Sequence, residues 1–187
     1  MSESVSAELR QLLSTPQPAE LGPGPRDGVQ SAKELEEAMA GVTARSKLPP
    51  ATQQLVRALI LLWHDHLDAA HTISQGIETP DGSLVHAIMH RREPDYWNSK
   101  YWWRRVAQHP CFLELARRVA DLLESKGQQA LSSQVIPEGR WDPFAFVDAC
   151  EAAASLPAAS SQVHLLRAIQ QIETEVALDH FLGAEAR

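Results

Sequence analysis

The chain has 187 residues, 44% hydrophobic and 22% charged, which is enough apolar surface to close one compact core and excludes an intrinsically disordered polymer. Its formal net charge of -7, from 24 acidic residues against 17 Lys and Arg, argues against wholesale binding to nucleic acid or an anionic membrane, since both select a cationic surface. The start Met1-Ser2-Glu3-Ser4 lacks a secretion signal, the longest apolar run (58–63) is too short for a bilayer, and two cysteines make no disulfide framework, so the expectation is a cytoplasmic protein.

Residues 8–13 pattern as a short amphipathic helix that runs out in Ser14-Thr15-Pro16-Gln17-Pro18, and Pro23-Gly24-Pro25 extends the irregular stretch. Residues 1–30 therefore read as a partly flexible arm and residues 31–187 as a helical domain. Ser31-Ala32-Lys33-Glu34 has capping-box spacing and starts a helix through about Met39. Pro49-Pro50 lead into a helix whose apolar positions Val56, Ile60, Trp63, Leu67 and Ala70 step by three and four, reaching Ser74 or Ile77. One continuous helix over 51–77 is favoured. The second reading breaks it at Asp65, with Asp68 at the third helical position, and gives a hairpin.

Thr79-Pro80-Asp81-Gly82 carries turn residues, and Ser83 can cap a helix from Leu84 to about Arg92. Glu93-Pro94-Asp95 interrupts it; Asn98 or Ser99 then caps a helix through Val106, and His109-Pro110 opens another through Glu124, ending near Gly127. Residues 128–139 look irregular. Asp142-Pro143 is an N-cap and N1 pair for a helix through Ala154, with Trp141 stapling its start. A last helix over 161–182 repeats Val163, Leu166, Ile169, Ile172, Val176 and Phe181. With no strand pattern, the expectation is an all-α, single compact domain of about six or seven helices.

Residues 63–110 hold six of the eight histidines (His64, His66, His71, His86, His90, His109), both tyrosines and every tryptophan except Trp141. Aromatic bodies with polar tips are what a ligand site uses for area and direction. His64, Asp68 and His71 follow i, i+4, i+7 spacing and would share a helix face, while His86 and His90, at i, i+4, could chelate one divalent ion. No Glu lies between the pair as in zinc proteases, and Arg91 and Arg92 next to His90 oppose a cation. A divalent metal is therefore the minority reading, and no residue is assigned as a metal ligand. Acid or base work by His71, His86 or His90, assisted by Asp68, is the more general role.

Further on, guanidinium, carboxylate and aromatic groups interleave. Arg91, Arg92, Lys100 and Arg104 could hold an anion, and Tyr96, Trp97, Tyr101 and Trp102 could stack on a ring or sugar. The leading expectation is a helical domain whose 63–110 segment forms a pocket for a small anionic or hydroxylated molecule, partly covered by the last helix. The alternative is a helical interaction or assembly module with no catalytic site, its aromatics filling a core or dimer interface and its histidines solvated; a purely internal network would pair Arg91 or Arg92 with Asp95 or Asp68. Cys111 after His109-Pro110 and Ser83 near His86 lack an orienting third residue, and no glycine spacing makes a phosphate loop. The sequence decides neither a reaction nor an oligomeric state.

The run Leu62-Trp63-His64-Asp65-His66-Leu67-Asp68-Ala69-Ala70 is similar to the turn of a tetratricopeptide hairpin, but no second copy follows at the ~34-residue period of such arrays. More specifically, Trp63-His64-Asp65, Leu67-Asp68-Ala69-Ala70-His71, His90-Arg91-Arg92-Glu93-Pro94-Asp95 and Asn98-Ser99-Lys100-Tyr101-Trp102 resemble a group of uncharacterised microbial proteins. The resemblance covers roughly residues 51–110 and implies no activity.

Overall fold

A computed structural model describes residues 3–183, and these contain ten α-helices, one 3-10 turn (Pro137–Gly139) and no strand. In chain order the helices are α1 (Glu3–Gln11), α2 (Ala32–Thr43), α3 (Pro50–Trp63), α4 (Leu67–Ser74), α5 (Pro80–Arg92), α6 (Tyr96–Val106), α7 (Phe112–Ser125), α8 (Gln129–Val135), α9 (Pro143–Ala153) and α10 (Ser161–Phe181). The all-α expectation holds, and the count of six or seven is exceeded. Two of the extra elements are short: α8 lies in the segment read as irregular, and α4 arises because the helix over 51–77 is broken. No described helix is long and apolar enough to cross a membrane.

The break sits at His64-Asp65-His66. Asp65 adopts φ 68, a left-handed conformation that a helix cannot continue through. Its carboxylate is buried and receives the Arg26 backbone N–H at 2.9 Å, the Arg26 guanidinium, and Arg92 Nη2 at 2.6 Å. Asp65 is therefore the anchor of the corner and caps nothing; the residue before α4 is His66, which makes no side-chain cap.

The segment between α1 and α2 has no regular element, yet its carbonyls are held from the core. Arg167 donates to Pro18 O and, at 3.3 Å, to Ala19 O; Gln170 donates to Ala19 O and Glu20 O at 3.2 and 2.9 Å. Arg92 adds bonds to Glu20 O and Gly22 O. What prolines and glycines mark as a flexible arm is here a strap, laid across α3, α5 and α10 with its backbone acceptors satisfied by buried side chains.

Helix α5 is the central rod: every residue from Gly82 to Arg92 is buried. Thr79 caps it by accepting the Gly82 N–H at 3.1 Å, one turn earlier than the Ser83 cap expected from sequence, with Pro80 in the first helical position. Gly82 is required sterically, because a Cβ there would stand 2.1 Å from Ile77 O. Asp95, not Asn98 or Ser99, caps α6. The capping box at Ser31 and the Asp142-Pro143 start of α9 form as read.

Candidate functional site

Three histidines from two helices meet under a third helix. His86 and His90 are one turn apart on α5, so their rings stack with centroids 4.7 Å apart and planes 18° from parallel. Because the corner at Asp65 redirects the chain, α4 brings His71 against both, at 4.8 Å from His86 and 5.2 Å from His90. From α6, Trp102 lies flat on the other face of His86 at 4.0 Å, and the Arg105 guanidinium lies 5.2 Å above Trp102. One donor nitrogen from each of His71, His86 and His90 lies within 4.8 Å of the others.

The central ring is the anomaly. His86 is 2% exposed, and neither of its ring nitrogens has a hydrogen-bond partner. Burying a polar group without a partner costs roughly 1–3 kcal/mol. Burial, reinforced by the neighbouring imidazoles of His90 and His71, pushes its pKa down to about 3, so the ring is neutral with its lone pair unspent. His90 is also shifted down, chiefly by burial, against the pull of Glu93. Its Nδ1 lies 3.0 Å from Glu93 Oε2, which fixes the proton on Nδ1 and leaves Nε2 as the donor atom. Asn98 Nδ2 is 3.1 Å from Nε2 and 3.5 Å from Nδ1 of the same ring. Being nearly equidistant, it sits beside the ring or over its face and not on the Nε2 lone-pair axis.

The arginines go elsewhere. Arg91 is fully buried on the opposite side of α5, bidentate to Glu173 on α10 (3.0 Å for Nη1 to Oε1) and 4.5 Å over the Phe146 ring. Arg92 is spent on Asp65, Leu62 O and the strap carbonyls. This corrects the reading of both as holders of an external anion: each charge is met inside the protein. The last helix meets the 63–110 segment through Glu173 on Arg91 and through His180 beside Asp81 and His109. Asp68 is exposed and outside the converging donors, and His64, parted from His71 by the break, bonds Leu12 O and the Gln30 N–H.

Of the α6 residues, Trp102 alone stacks on the histidines. Lys100 pairs with Asp148, Arg104 lies 6.0 Å over Phe144, and Tyr96 is half-buried against the core. Trp97 is 74% exposed and Tyr101 41%, their rings nearly parallel with centroids 6.4 Å apart. A surface cavity of about 350 Å³ lies away from all of these, lined by Arg10, Arg118, Glu175 and Asp179, whose charges pair with one another.

A second cluster escaped the sequence reading. Asp81 in the first turn of α5, His109 before α7 and His180 in the last turn of α10 bring their donor atoms within 4.8 Å. Asp81 Oδ1 stands 2.8 Å from His109 Nε2 and 3.1 Å from His180 Nε2. These bonds hold the Asp81 carboxyl well below its usual range. On its other side His109 Nδ1 is 2.9 Å from Cys111 Sγ. The thiol is no nucleophile here, because burial pushes it up to about 12.

No family model matches this chain, and neither a curated protein nor a solved structure matches it closely enough to lend it a function.

Proposed function

We propose that the protein binds a divalent transition metal of the zinc class through His71, His86 and His90, and through that ion a small anionic or hydroxylated ligand. The observation that carries this reading is His86: a buried, neutral imidazole with both nitrogens unpartnered, facing two further imidazoles. A metal turns that unmet cost into a bond. Three nitrogens bound at ~2.0–2.1 Å to one tetrahedral ion stand roughly 3.4 Å apart, so the triangle closes by side-chain rotations that unstack His86 from His90. A carboxylate holding the far nitrogen of a metal-binding histidine is a recurrent second layer of such sites, and Glu93 stands in that position.

The objection from Arg91 and Arg92 falls away, since their charges are met by Glu173 and Asp65. The same fact changes how an anion would be held: the ion supplies the positive charge, and the fourth coordination position supplies the place. Three protein ligands with one open position is the arrangement of reactive zinc, where bound water becomes acidic near neutrality.

Untagged protein stripped with a chelator and titrated with zinc in a calorimeter is expected to take up a tightly bound ion that His86→Leu does not. Zinc binding by His86→Leu equal to that of the native chain, or none by either, overturns the reading. A second reading, a helical interaction module, is favoured by the exposed Trp97 and Tyr101 pair. It predicts an oligomer that dissociates on dilution and on Trp97→Ala, and a strictly monomeric native chain counts against it.

A further inference from the structure

We infer that Asp81, His109 and His180 form a second metal site, distinct from the three-imidazole cluster and suited to a six-coordinate divalent ion of the manganese, iron and cobalt group. The donors come from three elements far apart in the chain, and both imidazoles converge on a single carboxylate oxygen at 2.8 and 3.1 Å. Three donors on one face of an octahedron, each about 2.1 Å from the ion, are roughly 3.0 Å apart, so the observed edges already have the size of a facial set. Two histidines and one carboxylate on one face, with the remaining positions left to water, is a donor set that such ions take.

Access and protons are consistent with it. The Asp81 and His180 side chains are 33% and 29% exposed, so an ion reaches the cluster from solvent, while buried His109 forms its floor. In the ion-free protein the Nε2 protons occupy the ion's place. On binding, each imidazole carries its proton on Nδ1 instead. In His109 that atom faces Cys111 Sγ at 2.9 Å, which accepts the bond, and the longer 3.3 Å contact from the Cys111 backbone N–H is given up. No net proton or electron changes hands. The all-nitrogen cluster favours softer ions such as zinc; a carboxylate oxygen opens this one to harder ions as well, so manganese distinguishes the two sites.

Manganese is therefore the probe. The metal-free full chain is titrated with Mn(II) while the electron paramagnetic resonance signal of the free ion is followed, in parallel with Asp81→Asn, His180→Gln and His86→Leu. His180 is half-exposed at a helix end, so its variant keeps the fold if Asp81→Asn does not, and circular dichroism checks each. One bound ion per chain in the native protein and in His86→Leu, with at least a tenfold loss of affinity in His180→Gln, is expected. No manganese binding by the native chain, binding unchanged in His180→Gln, or binding lost in His86→Leu overturns the proposal. None of these outcomes depends on whether zinc occupies the other cluster.

Discussion

Two groups of histidines lie toward opposite ends of α5, each gathering three donor atoms within 4.8 Å, and they use burial in opposite ways. Around Asp81 both imidazoles have a partner, so burying His109 strengthens bonds already made. Around His86 the rings stack on one another and on Trp102, and the central nitrogens meet nothing. The first arrangement contributes to folding in the absence of any ion. The second subtracts from it and returns the difference only to something that binds. Counting histidines would rank the two groups alike; their hydrogen bonds separate a clasp from a vacant-valence site.

The sharpest way to break that contrast is to truncate each group in metal-free protein. His109→Ala is expected to destabilise by about 2–3 kcal/mol in urea unfolding, through lost packing and the loss of one of the two imidazoles on Asp81. His86→Leu removes two unpartnered nitrogens from a buried site and is expected to stabilise by about 1–2 kcal/mol. Equal destabilisation by both would show that His86 has a partner after all.

Glu93→Gln sharpens the picture at the proposed zinc-class site. Zinc affinity is expected to fall about tenfold, as for other second-layer carboxylates, with metal-free stability nearly unchanged. A fall in stability matching the fall in affinity would make Glu93 a structural residue only.

The smallest effect is on pH. The His86 pKa drops from 6.5 unfolded to about 3 folded, so below 6.5 the unfolded chain binds more protons and stability falls with pH. Between pH 6.5 and about 5.5 the loss is about 1 kcal/mol in metal-free protein and is absent in His86→Leu. Asp81 acts in a lower window. Its folded pKa lies below the 3.8 of the free side chain, so its contribution is full above that value and is lost as pH falls through the folded one. Chemical denaturation of the two variants at stepped pH separates the windows.

Local signals in the sequence set most of the helices. The Ser31 capping box, the Asp142-Pro143 start and the spacing of His86 and His90 are decided within a turn or two of chain, and they formed as read. What failed was decided at a distance. The favoured helix over 51–77 breaks because Arg26 and Arg92, 39 and 27 residues from Asp65, hold a left-handed corner that periodicity alone would not place. Arg91 and Arg92 have the composition of an anion site, and only the approach of α10 and the strap shows them consumed. Asp81, His109 and His180 carry no shared spacing; Asp81 reads as a turn residue and His109 as a helix opener, and nothing local marks His180.

The strap carries a consequence for how the chain is made. Carbonyls of residues 18–20 are gripped by Arg167 and Gln170, close to 150 positions later. In a polypeptide growing from its N-terminus, Arg92 can take Glu20 O and Gly22 O early, while the grip on Pro18 O and Ala19 O waits for α10. In the meantime Arg92 can already hold Asp65, while Arg26 reaches it from a strap not yet held at its upstream end, so the turn that presents His71 has one of its two guanidinium braces. The corner is thereby braced in two stages, and the full set of contacts behind His71 waits for α10.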